Sequence, residues 1–92
     1  METLSKLFGS EAKVKIMRLF LFNPDKVFNS SDIALRVQVE RAKVRREIGG
    51  LEKAGLIKRR ARSNGRTNGH GFTLDLQFPY LLPLQNFLIN KM

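Results

Sequence analysis

From residue 40 to residue 76 the spacing of apolar side chains changes from a helical period to a strand period, and that change governs what this chain can become. Val44, Ile48 and Leu51 recur at i, i+4 and i+7, which puts them on one face of a helix over residues 40–54. Gly55 follows where a left-handed residue closes a helix. Leu56-Ile57 opens a strand in which Lys58, Arg60 and Arg62 point away from Ile57 and Ala61. Phe72, Leu74 and Leu76 return at period two. Between the two runs, Ser63-Asn64-Gly65-Arg66-Thr67-Asn68-Gly69 is polar and holds two Asn-Gly pairs, which predicts a hairpin with an extended tip over residues 57–76.

The segment before this helix is also helical. Leu4, Leu7 and Phe8 sit at i, i+3 and i+4 and predict a short leading segment that ends at Gly9. Ser10 then offers an N-cap with Glu11 in the first turn. Ala12, Ile16, Leu19 and Phe20, widened by Met17 and Leu21, form the inward stripe of a helix that stops near Phe22, because Pro24 drives Asn23 out of helical dihedrals. Asn23-Pro24-Asp25-Lys26 reads as a turn and Val27-Phe28 as a very short strand. Asn29, Ser30 and Ser31 compete to cap a brief helix whose inward residues are Ile33, Ala34 and Val37, and Gln38-Val39 turns the chain out of it. After the hairpin, Pro79-Tyr80-Leu81-Leu82-Pro83 leads into a last helix over residues 80–91 containing Leu84, Phe87, Leu88 and Ile89.

A chain of 92 residues makes one domain, residues 1–92, with its core over residues 10–77. The expected fold is mainly α with a small β-hairpin, a winged helix-turn-helix of the α+β kind carrying an additional C-terminal helix. The absence of cysteine excludes a disulfide framework, a thiolate metal site and a cysteine nucleophile, and it fits a reducing cytoplasm. The N-terminus lacks the basic start and apolar stretch of a signal peptide. The longest apolar run, Leu19-Phe20-Leu21-Phe22, is far short of the roughly 20 residues of a membrane helix. A soluble, cytoplasmic protein without cofactor is expected.

The charge is uneven. Lysine and arginine number 17 against 8 acids, a net charge of +9, and 11 of the 17 fall between Arg36 and Arg66 against only Glu40, Glu47 and Glu52. Such a cluster calls for a polyanionic partner. A short helix, a turn and a second, solvent-facing helix is the arrangement that lays the second helix in the major groove of duplex DNA. With Val44, Ile48 and Leu51 kept for the core, Glu40, Arg41, Lys43, Arg45, Arg46 and Glu47 remain for the outer and flanking faces. Arg41 and Lys43 are expected nearest the bases, with Arg45 or Arg46 on base edges or phosphate. Ser30 and Ser31, at the start of the preceding helix, join the same contact set. On the hairpin, Arg59, Arg60, Arg62 and Arg66 are placed to grip phosphates or enter the minor groove. The bland alternative for all of these cations is a solvated surface, or an edge strand protected from aggregation by charge.

The run Gly9-Ser10-Glu11-Ala12-Lys13-Val14-Lys15-Ile16-Met17-Arg18-Leu19-Phe20 resembles the opening helix of winged-helix regulators of the arsenical-repressor (ArsR-like) type. Ser31-Asp32-Ile33-Ala34, then Val44 and Leu51-Glu52-Lys53-Ala54-Gly55-Leu56-Ile57, are similar to that family's two reading helices and the approach to its wing. The likeness covers residues 4–77 and implies a dimeric DNA-binding repressor or activator. Three features depart from it. Metal-sensing members use cysteine or clustered histidine, whereas this chain has only His70, which reads as a packed or hydrogen-bonded side chain. Gly49-Gly50 interrupts the reading helix at a cost of about 2 kcal/mol relative to alanine, allowing either close packing against another helix or a bend. Gln38 stands in the turn where many relatives place glycine.

The apolar C-terminal segment is expected either to close the core of a monomer or to meet a second copy. In a homodimer the interface would draw on Leu4, Leu7, Phe8, Tyr80, Leu84, Phe87 and Leu88. Scattered Asp25, Asp32 and Asp75, and a histidine without an evident partner, give no enzyme constellation. Two other uses of the fold are weighed against DNA binding. One is an adaptor or antitoxin-like partner of another protein, for which a neutral or acidic second helix is the usual sign. The other is an RNA binder, which would need exposed aromatics, whereas Phe28 and Phe72 are expected to face inward.

Overall fold

The computed structural model describes residues 3–63 and 68–89, and the side chains within 6–61 and 70–89. In chain order the elements are α1 (Thr3–Phe8), α2 (Glu11–Phe22), α3 (Ser30–Val37), α4 (Arg41–Ala54), β1 (Ile57–Ser63), β2 (Asn68–Leu74) and α5 (Leu81–Leu88).

Each helix begins and ends for a local reason. The Ser10 hydroxyl accepts from the Lys13 amide at 3.1 Å and starts α2. At the other end of α2, the Asn23 side-chain amide donates to the Leu19 carbonyl at 2.8 Å, and Pro24 follows. Asn29 wins the competition to cap α3: its side chain accepts from the Asp32 amide at 2.8 Å, and the Asp32 carboxylate accepts the Asn29 amide at 3.3 Å, a reciprocal capping box. The helix closes at Gln38, whose φ of 58° and ψ of 52° are left-handed. α4 begins at Arg41, with Glu40 as an N-cap that makes no side-chain cap bond, so Glu40 lies just before the helix it was expected to open. Gly55, at φ 91°, ends it as expected, and Leu56 donates back to the Leu51 carbonyl at 3.1 Å. In α5, Pro83 falls in the first turn, where a missing N–H leaves no bond unmade.

α2 is the central element and packs against α1, α3, α4, α5 and β2. A helix enclosed from that many directions buries more than one stripe. Val14 is therefore buried along with Ala12, Ile16, Met17, Phe20 and Leu21, while Leu19 is only partly covered. Ile33 and Val37 of α3, Val44, Ile48 and Leu51 of α4, and Leu56, Ile57, Leu74 and Leu88 complete the core. The Phe20 and Phe28 rings meet edge to face at 5.7 Å between centroids, a favourable aromatic geometry.

β1 and β2 pair antiparallel with Ile57 opposite Leu74, Arg59 opposite Phe72, and Arg60 opposite Gly71. Phe28 bridges the other edge of β2 at Phe72, so the short strand expected at Val27-Phe28 is a single bridge. The alternation expected along the wing holds for Ile57 and for exposed Lys58 and Arg60. It fails at Ala61 and His70, which are exposed opposite one another where the hairpin has left the core behind. It also fails at Leu76: β2 ends at Leu74, and Leu76 lies in the turn beyond, 64% exposed. Gly49 and Gly50 do not break α4, which runs on to Ala54, and they make no close packing against another element, since a Cβ at either meets no atom within 4 Å. Among the described residues, no helix is long and apolar enough to cross a membrane.

Candidate nucleic-acid interface

α3, its left-handed turn and α4 present three adjoining clefts. Ser31, Leu35, Glu40 and Arg41 line one, between α3 and the start of α4. Ser30, Arg45, Gly49, Glu52, Arg59 and Phe72 line a second, between α4 and the base of the hairpin. Glu11, Lys15, Gln38, Glu40, Lys43 and Arg46 line a third, toward the start of α2. Arg41 and Lys43 thus stand in different clefts on opposite flanks of α4, whereas the sequence offered them as one pair nearest the bases.

The acids of the basic stretch are mostly occupied. Glu47 meets Lys13 of α2 at 3.7 Å, and Glu52 accepts from Arg59 Nε at 3.0 Å. Among the described residues no ion pair engages Arg41, Lys43, Arg45, Arg46, Lys53, Lys58 or Arg60, and all seven are exposed or partly so. Pairing therefore neutralises two cations and leaves a continuous excess of positive charge on α4 and β1. Exposed cations with no fixed counter-charge are what a phosphate backbone requires.

Arg59 differs from the other wing cations. It lies on the core-side face of β1, reaches back across Gly55 to Glu52, and sits over the Phe72 ring at 5.6 Å. Nothing in the apolar periodicity links a helix residue to one in the following strand, so Glu52 was not legible as its partner. Phe28 is buried as expected, and Arg36 lies over its ring at 5.1 Å. Phe72 is partly covered. The side chain of Arg62 and the whole of Arg66 lie outside the described residues.

Of the residues considered for self-association, Leu7, Tyr80 and Phe87 are exposed, Leu82 joins them, and Phe8 packs its ring 6.1 Å from that of Phe87. Leu84 is half-buried against the core. Leu88 is 2% exposed and belongs to the chain's own core, because the last turn of α5 folds under α2, where Arg18 Nε donates to the Leu88 carbonyl at 3.1 Å. The side chain of Leu4 lies outside the described residues. No cluster of three or more histidine, cysteine or acidic groups among the described residues is arranged to hold a metal ion.

No family model matches the sequence, and no curated protein does. Solved structures do match the fold. A possible transcriptional regulator from Methanosarcina mazei Go1 superposes with a TM-score of 0.67 at 13% identity, covering 95% of this chain and 71% of that one. The S. aureus MepR–DNA complex gives 0.69 at 15% identity over 94% of this chain and 69% of MepR. A mutant of Lactococcus lactis ZitR gives 0.63 at 17% identity over 84% of this chain, which spans about half of ZitR, 51%. With its three-helix core, its two-stranded antiparallel hairpin and these superpositions, the chain has the winged-helix fold.

Proposed function

We propose that this chain is a transcriptional regulator that binds duplex DNA in a sequence-specific manner, with α4 in the major groove and the basic hairpin on the backbone or in the adjacent minor groove. The observation that carries the reading is the set of seven exposed cations on α4 and β1 that, among the described residues, form no ion pair. The fold supports it, since one similar structure is of MepR bound to DNA and another is of a possible transcriptional regulator. Arginine at positions 41, 45 and 46 suits guanine edges or phosphate, because its fork meets two acceptors at once. Ser30, Ser31, Lys43, Lys58 and Arg60 supply backbone contacts. No catalytic step is assigned to the chain. The arsenical-repressor type rests on the sequence resemblance.

Leu7, Tyr80 and Phe87 are exposed, Tyr80 and Phe87 line one apolar groove with Leu84, and a second copy is its proposed occupant. A two-fold pair would offer two reading helices to half-sites one helical turn apart, which a single copy cannot do.

Fluorescence anisotropy at several salt concentrations, with a random duplex and with duplexes from the chain's own upstream region, tests the proposal. Each phosphate contact contributes a slope of about −0.9 in log K against log salt. Tighter binding to one upstream fragment, lost in Arg41→Ala or Arg45→Ala, is the expected result. An absence of duplex binding even at low salt would end the DNA reading and favour the adaptor alternative.

A further inference from the structure

The cleft between α4 and the hairpin has a volume of about 220 Å³ and an unusual set of walls. Arg45 of α4, Arg59 of β1 and Ser30 of α3 line it, and the Phe72 ring lies under the Arg59 guanidinium, 5.6 Å from its centroid. Gly49 leaves the α4 wall bare, because a Cβ there would meet nothing within 4 Å. Among the described residues, the one acid on the walls is Glu52, one-third exposed and bonded to Arg59 Nε at 3.0 Å.

We propose that this cleft seats a backbone phosphate of the strand that passes between the groove holding α4 and the groove reached by the hairpin. Glu52 is the stand-in for that phosphate, holding Arg59 in its binding position until the duplex displaces it. The inference rests on the duplex-DNA reading above and names one contact within it.

Three observations converge. A carboxylate oxygen and a phosphate oxygen both accept from a guanidinium, so the single bond from Arg59 Nε to Glu52 Oε2 at 3.0 Å is of the kind a phosphate would make in its place. The two arginines and the hydroxyl come from three separate elements and line one cleft. Gly49 weakens the helix it occupies, and neither its dihedrals nor its neighbours demand glycine; its one structural effect is to keep open the space a phosphate would fill. Glu52 also gives the seat a threshold. A carboxylate among cations lowers the attraction for any polyanion, so Arg59 is released only where the rest of the surface is already in register.

The experiment is a two-residue cycle read by anisotropy with a short random-sequence duplex over a salt series, using Glu52→Gln, Gly49→Leu and the double variant. Glu52→Gln is expected to tighten binding by about two- to tenfold and to steepen the salt slope by up to about 0.9, the value of one added phosphate contact. Gly49→Leu, which fills the seat, is expected to weaken binding while melting no earlier than the natural chain, and in its background Glu52→Gln gives no gain. Equal tightening by Glu52→Gln in both backgrounds means general electrostatics and overturns the seat. No tightening in either overturns it as well. Should Gly49→Leu melt early, Gly49→Met, whose unbranched side chain also reaches into the cleft, takes its place in the same cycle. If the natural chain binds no duplex at low salt, the DNA reading and the seat fall together; if it binds and the cycle shows no coupling, the seat alone falls.

Discussion

Phe28 and Phe72 exchange both of their backbone hydrogen bonds, at 2.9 and 2.7 Å, and this bridge fastens the hairpin to the helical part of the chain. It makes β2 the middle of three extended segments, and it brings the Val27-Phe28 backbone against Gly71.

That closeness is the reason position 71 is glycine. A Cβ there would lie 2.5 Å from Val27 Cγ1 and 3.0 Å from the Phe28 carbonyl oxygen. The carbonyl cannot retreat without breaking the bridge. Gly71→Ala is expected to destabilise the fold by about 1–3 kcal/mol, as overpacking does, and urea unfolding monitored by circular dichroism measures it. A variant as stable as the natural chain would mean that the bridge yields without cost.

Gln38 carries a left-handed backbone, with φ of 58°, at the turn between α3 and α4. A side chain with a Cβ is strained there by about 1 kcal/mol, partly offset by the greater freedom that glycine has in the unfolded chain. Gln38→Gly is expected to raise the melting temperature slightly, by less than about 1 kcal/mol in stability, and Gln38→Val to lower it by more than that. If both variants melt together with the natural chain, the turn is not where the strain resides.

Much of this architecture can be read from the sequence, and the boundary of what can be read has a physical meaning. Local signals held: Ser10 and Gly55 cap the helices they were expected to cap, and Val44, Ile48 and Leu51 face inward. What failed depends on neighbours far along the chain. Val14 is buried because α2 is enclosed from several sides, Leu88 because α5 tucks under α2, and Leu76 is exposed because β2 ends before it. The cations of the site were legible by type and number. Their separation onto the two flanks of α4, and the pairing of Arg59 with Glu52, come from the angle between helix and hairpin, which no periodicity encodes.

Gly49 and Gly50 lie in α4 with open space above both. Alanine at either position removes backbone freedom from the unfolded chain and meets nothing in the folded one. Gly50→Ala and Gly49→Ala are each expected to add about 1 kcal/mol of stability, measured by thermal unfolding. A loss of stability in either variant would reveal a contact that the open space does not suggest.

Pairing of two copies through the exposed side chains of Leu7, Tyr80 and Phe87 makes a prediction about mass. Sedimentation equilibrium is expected to give a dimer for the natural chain and a monomer for Phe87→Asp. Because Phe87 is half exposed, that variant should keep its helical circular dichroism. By contrast, Leu88→Ala opens the core and is expected to cost about 2–5 kcal/mol. A natural chain that sediments as a monomer removes the second copy as the occupant of this face.

The contact between the Phe8 and Phe87 rings, together with the Arg18–Leu88 bond, joins regions separated by most of the chain. Contacts of such long sequence separation carry the largest loop-closure entropy and are slow to form. The face proposed for a second copy draws on α1 and α5, so it is complete only once that closure is made. If two copies pair through this face, assembly follows folding as a distinct, concentration-dependent step. A chain still on the ribosome, with α5 unmade, would have no finished surface with which to recruit a neighbour prematurely.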